Sequence, residues 1–119
     1  MLKLSLLPLL TGLVAACGQS PSATPPSDCP ELQAECPATP PTYAAGIGAL
    51  IGERCSPCHA PGGIEAESVL LTDYQSARML TIGIGTQVQG CLMPPAGSPP
   101  LSDDERQQIL EWLKCGAKP

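Results

Sequence analysis

Cys55-Ser56-Pro57-Cys58-His59 is the stretch on which the reading of this chain turns. Two thiols stand three positions apart, and a histidine follows the second directly. That order is the pattern of covalent haem c attachment. Two sulfurs at this spacing can form thioether bonds to two vinyl groups, and the histidine then lies beneath the iron as its proximal ligand. Two rivals use the same residues. A redox-active disulfide expects a strand–helix–strand setting, whereas the flanking sequence has helical spacing. A zinc site needs further Cys or His ligands at suitable spacing, and His59 is the chain's only histidine. The expectation is one covalent haem c bound by Cys55, Cys58 and His59.

Upstream of the motif, Thr42 is a candidate N-cap, and Tyr43, Ile47, Leu50 and Ile51 share one helical face leading into Cys55. Gly46, Gly48 and Gly52 weaken this helix, which implies close packing by another element. Downstream, residues 60–68 read as loop. Thr72 then caps a second helix, in which Tyr74, Ala77, Thr81, Ile84 and Val88 keep helical spacing as far as Gly90. Gly83 and Gly85 each cost roughly 1 kcal/mol against Ala, so a break is expected there. Residues 91–101 carry four prolines and cannot be regular. Ser102-Asp103-Asp104-Glu105 is a capping box with an acidic first turn. Ile109, Trp112 and Leu113 form the apolar face of the last helix, Lys114 sits in its last turn, and Gly116 ends it. No run reads as a strand pair, and no internal repeat is visible.

A second iron ligand would decide what the haem does. Met93 lies in Cys91-Leu92-Met93-Pro94-Pro95, between the second helix and the last capping box. A proline-stiffened loop can present a thioether at a fixed position. With histidine and methionine both on the iron, no position is left for a substrate and the reduction potential is raised. Met79 competes for the role, but it sits mid-helix, where methionine usually fills core space.

The order helix, Cys-x-x-Cys-His, helix, Met-Pro-Pro loop, capped helix with a Trp resembles class I c-type cytochromes, especially the short monohaem domains of bacterial lipoproteins. The resemblance covers about Thr42 to Gly116. It implies an all-α cytochrome c fold wrapped around one haem, with first and last helices crossing and a haem edge exposed. By position it makes Cys55 and Cys58 the attachment cysteines, His59 the proximal ligand and Met93 the distal one. Pro61 lies near where the family often fixes the histidine through a backbone carbonyl.

Four further cysteines, Cys29, Cys36, Cys91 and Cys115, allow three pairings. Free buried thiols are out of place in an oxidising compartment. Cys91–Cys115 would tie the methionine loop to the last helix, closing a loop worth roughly 3 kcal/mol in chain entropy. Cys29–Cys36 would close a small local loop. Those two bonds are the expected pairing. Trp112 is read as the large anchor of the last helix rather than as an electron conduit. Helix capping explains Asp103, Asp104 and Glu105 without a docking role.

The amino-terminal end carries its own signals. Met1 and Lys3 precede an apolar run, Leu4 to Val14, that ends in Ala15 and Ala16. This reads as a secretory signal peptide, 1–16, and the run is too short to span a bilayer. Leu13-Val14-Ala15-Ala16-Cys17 resembles the lipobox of bacterial lipoproteins, which makes Cys17 the lipidated amino terminus; the alternative is a secreted protein with a spare thiol. Gly18 in place of Asp favours an outer-membrane destination in a cell with two membranes. Residues 17–41 form a lipidated tether rich in Pro, Ser, Thr and Ala, with a reach on the order of 70 Å at polyproline spacing. The cytochrome domain is 42–119.

The formal charge of −5 argues against nucleic acid and for a basic or neutral protein surface as partner. With aromatics at 3 % and no Phe, so small a domain needs covalent staples. The expected function is a single-electron carrier, not an enzyme, exchanging electrons with redox proteins of the cell envelope. It would be periplasmic, lipid-anchored, and a monomer or a subunit of a larger complex. Two alternatives use the same residues: a haem-based sensor or small-ligand binder with a displaceable Met93, and a structural haem-bearing subunit of a membrane-associated complex.

Overall fold

The computed structural model describes residue 26 and residues 28–119. The expected signal peptide and the lipidation site Cys17 lie outside the described residues. Five α-helices follow one another, and no strand occurs among the described residues: α1 (Gly48–Arg54), α2 (Ser56–His59), α3 (Tyr74–Met79), α4 (Thr81–Gln89) and α5 (Asp103–Lys114). A single π-turn, Tyr43–Ile47, leads into α1.

Thr42 caps that turn, accepting a hydrogen bond from the Ala45 amide at 3.2 Å. Gly46, at φ +140°, makes the kink into α1, a conformation that strains any side chain. Gly48 is explained by a neighbour closer than the sequence implied. A Cβ there would sit 2.7 Å from the ring of Tyr43, so the glycine makes room for its own turn rather than for another element.

The second helical stretch starts one residue later than expected, at Asp73. Asp73 accepts from the Ser76 amide at 2.8 Å, and the Ser76 hydroxyl accepts in return from the Asp73 amide at 3.1 Å. This reciprocal box outcompetes Thr72 for the cap. The helix breaks at Leu80 (φ −104°, ψ 15°), ahead of the glycines, which remain inside α4. At α5 the expected box is present: Glu105 donates its amide to the Ser102 hydroxyl at 3.1 Å, and its carboxylate accepts from the Ser102 amide at 2.8 Å. Gly116 (φ +87°) ends α5 in a Schellman motif, with Gly116 N–H on Leu113 O at 3.1 Å and Ala117 N–H on Trp112 O at 2.8 Å.

Two apolar clusters share α5. Trp112, Ile47, Ile51, Leu71, Ala77 and Ala117 form one, while Ile109, Leu110, Val88 and Leu101 form the other; Ile84 and Leu113 touch both. The amino-terminal helix and α5 run in opposite senses. The Tyr43 amide donates to Lys118 O at 3.0 Å at one end, and Arg54 pairs with Glu105 at 2.8 Å at the other.

Residues 28–41 form no helix or strand, as their prolines dictate, and are held down as a strap. Leu32 and Ala34 pack against the second cluster while Glu31, Gln33 and Glu35 are exposed, the alternation of an extended chain on a surface. Gln89 Nε2 donates to Leu32 O and Gln107 Nε2 to Gln33 O, both at 3.3 Å.

The strap corrects the expected disulfides. Cys29 pairs with Cys91 and Cys36 with Cys115, at Cα separations of 5.9 and 5.1 Å. Cys29–Cys36 fails because seven extended residues span about 23 Å. Cys91–Cys115 fails because Cys91 lies near Arg106 in the first half of α5, whereas Cys115 caps its far end, about 14 Å of helix away. The observed bonds join residues 62 and 79 positions apart. The chain-entropy model assigns such loops about 4–5 kcal/mol each, more than the expected pairing, though overlapping loops do not add.

The two capping carboxylates set an acid limit. Glu105 is held below the usual carboxylate range by the Ser102 amide first, against some desolvation, and by Arg54. Asp73 is lowered by the Ser76 amide and hydroxyl. A depressed carboxylate stabilises the fold above its unfolded pKa, about 4, and that contribution is lost as pH falls through the folded value. Thermal melts should therefore be flat from pH 7 to about 5 and fall below it, with a shallower fall in Glu105→Gln.

Candidate functional site

The turn around the motif is built by its own backbone. The amides of Cys58 and His59 both donate to Cys55 O, at 3.2 and 3.0 Å, and Pro57 occupies the first turn of α2, where a missing N–H costs nothing. The Ser56 hydroxyl donates to Leu71 O at 2.7 Å, and the Leu71 amide donates to His59 O at 2.7 Å, so residues 60–71 fold back onto the motif. Gly63 permits this: a Cβ there would strike the Cys58 carbonyl.

His59 Nδ1 lies 3.1 Å from Val69 O. A carbonyl can only accept, so Nδ1 is the donor, and in the neutral ring this leaves Nε2 with the lone pair that ligation needs. The orienting carbonyl therefore belongs to Val69, not to the region of Pro61, which is exposed. Cys55 is a free thiol, half-buried, and burial pushes it up to about 11. A redox nucleophile needs the opposite shift, which weighs against the redox-disulfide reading. The sulfur of Cys58 is disulfide-bonded.

Cys55, Cys58 and His59 line a cavity of about 490 Å³ whose lining also includes Met93. That volume is in the usual range for ligand pockets, roughly 300–1,000 Å³. Val69, Leu71, Leu80, Ile84 and Val88 supply its apolar surface, and Pro94, Pro95 and Pro99 come from the methionine loop. Met79 is not part of this lining and is 75 % exposed, which also removes it from the core role the sequence implied. The two glycines of α4 have separate uses. Gly83 borders the cavity, where an added Cβ would meet nothing within 4 Å, and Gly85 lies against Leu113, 3.4 Å from where its Cβ would be. Among the described residues no three His, Cys, Asp or Glu side chains cluster as metal ligands. Among them, too, no helix is long and apolar enough to cross a membrane.

Three contributors carry no obvious mark in the sequence. Val69 acts through its backbone, and the strap through its carbonyls. Arg106 is 3 % exposed and donates to Val88 O, Gln89 O and Pro30 O at 3.0–3.1 Å. One sign was there to read: Arg106 occupies the same helical face as Ile109, Leu110 and Leu113. A charge on an apolar stripe implies a buried partner set.

No protein-family model matches the chain, and no curated protein or solved structure matches it either.

Proposed function

We propose that this chain is a single-electron carrier of the c-type cytochrome kind, bearing one haem c on Cys55 and Cys58, with His59 and Met93 as iron ligands. One observation carries the reading: the Cys-x-x-Cys-His turn and a methionine 34 residues beyond His59 line the same apolar cavity. The donor set fits the group. His59 offers Nε2, Met93 a thioether, and the apolar walls a surface for a flat macrocycle. When bound, the haem supplies a one-electron couple between ferric and ferrous iron.

The chain's residues do the rest. Val69 O fixes the imidazole tautomer and aims the ring. Val69, Leu71, Leu80, Ile84 and Val88 would shield a bound haem from water, and Met93, on the same cavity, would be its second ligand. With both axial positions taken by protein ligands, the iron would have no site open to a substrate, which favours a carrier over an enzyme. Thioether formation adds a thiol across a vinyl group, so Cys58 must be in its thiol form when attachment occurs. Partners are redox proteins of the cell envelope with basic or neutral docking surfaces, given the formal charge of −5.

The lipid anchor at Cys17 completes the reading. Because Cys29 is bonded to Cys91, only eleven residues, 18–28, separate the anchor from the domain. Their contour is at most about 40 Å, well short of the reach of a tether running to Pro41.

Attachment is tested by the mass of the full chain exported from a haem-attaching host. The wild type should carry one haem that survives denaturation and acidified organic solvent. Cys55→Ser/Cys58→Ser should lose all of it to the solvent. An exported wild type without covalent haem would reject the proposal.

A further inference from the structure

Met93 stands two residues after a covalent and ionic junction that has no counterpart in the motif itself. Pro94, Pro95, Pro99 and Pro100 have no N–H to donate, and the Ser98 amide closes a turn inside the loop on Pro95 O at 3.0 Å, so the residues flanking Met93 carry much of the tie to the rest of the fold. Downstream, the nearest buried residue is Leu101, eight positions away. Upstream, the fixed point is immediate. Leu92 and Met93 donate their amides to Gln87 O at 2.9 and 3.4 Å, and Cys91 is bonded to Cys29 of the strap.

Arg106 lies under this junction and joins its parts. Its Nε donates to Val88 O at 3.1 Å, and Nη2 donates to Gln89 O and Pro30 O, both at 3.0 Å. Nη1 pairs with Asp103 at 3.2 Å, and Nη2 lies 3.5 Å from Cys29 Sγ. Val88 and Gln89 are among the last residues of α4, where carbonyls lack i+4 partners and the helix dipole is negative; Val88 O also accepts from the Cys91 amide at 3.2 Å. A rigid fork of five N–H groups can serve carbonyls from two segments and a carboxylate at once; a lysine ammonium, with three donors on one atom, cannot.

We infer that Arg106 and the Cys29–Cys91 bond act together as a clamp that positions the Met93 thioether at the cavity. This rests on the reading of Met93 as a haem ligand. Arg106 and Cys29 are positioning residues: neither lines the cavity, and both act through residues 88–92. The strap before the helical domain is thus part of the distal side. The second bond, Cys36–Cys115, ties the strap at the far end of α5, away from residues 88–92.

The test compares three variants of the haem-loaded full chain: Arg106→Lys, Cys29→Ala/Cys91→Ala, and Cys36→Ala/Cys115→Ala. The readouts are the far-red sulfur-to-iron band of the ferric protein, carbon monoxide binding to the ferrous protein, and thermal melting. The first two variants should lose most of the band and bind carbon monoxide about tenfold more tightly or better, because the fraction with an open iron rises. The third should melt lower with its band intact. If Arg106→Lys does not fold, Cys29→Ala/Cys91→Ala decides, since it keeps both apolar clusters and the other covalent tie. A wild-type band that persists unchanged in the clamp variants would overturn the inference. A wild type with haem but no band would instead overturn the ligand assignment beneath it.

Discussion

Met93→Ala should lose the far-red band, bind carbon monoxide readily when ferrous, and show a reduction potential lower by on the order of 0.1 V or more. A thioether ligand favours ferrous over ferric iron, and its loss returns the site to histidine alone. Axial ligands move haem potentials across about 0.8 V, so a shift of this size is well within the lever's range. The fold should hardly notice. Met93 is 37 % exposed and packs at the edge of the cavity, so the cost in stability should stay below about 1 kcal/mol. Met79→Ala is the matched control: at 75 % exposed it should leave spectrum, potential and stability unchanged. The variant also separates the functional classes. A carrier resists carbon monoxide until Met93 is removed, whereas a sensor binds it as readily with Met93 present.

Trp112→Ala should cost about 3–5 kcal/mol of folding free energy, against a total of roughly 5–15 for a typical domain. The side chain is fully buried, and its Nε1 donates to Lys118 O at 2.8 Å. That same carbonyl accepts from the Tyr43 amide at 3.0 Å, while the Tyr74 hydroxyl donates to Ala117 O at 3.1 Å. The Tyr43 ring lies 6.1 Å from the indole, centre to centre. One indole therefore joins α5, the first helical turn and the carboxyl-terminal tail, and its removal leaves a cavity where three segments meet. Urea unfolding should show a lower midpoint at an unchanged slope. Trp112→Phe should recover most of the loss, missing about 1 kcal/mol for the absent hydrogen bond. Electron exchange at the wild-type rate in Trp112→Phe would identify the residue as a packing anchor, not a conduit.

What could be read from the sequence is what is decided within a few residues. Thr42, Ser102 and Gly116 act on amides and carbonyls three to five positions away, and each occupies its expected place. The apolar faces were equally legible, since Ile47 and Ile51, or Ile109 and Trp112, are set by helical period alone. Where two local signals competed, the sequence underdetermined the result: Asp73 took the cap from Thr72 because Ser76 could reciprocate. The disulfides failed for a different reason. Cys29–Cys91 and Cys36–Cys115 depend on a proline-rich segment lying along α5, and no periodic pattern reports that docking. The composition that correctly implied an extended chain says nothing about whether the chain is free. Val69 is invisible for a simpler cause, because a backbone carbonyl has no residue identity.

The most direct test of the central claim is the absorption spectrum of the exported protein, first oxidised and then reduced. Sharp low-spin bands in both states, with a weak far-red band in the ferric form only, are the expected result for haem held by His59 and Met93. A high-spin spectrum would take Met93 off the iron and turn the reading toward a ligand-binding haem. A chain exported without haem would contradict the account at its root.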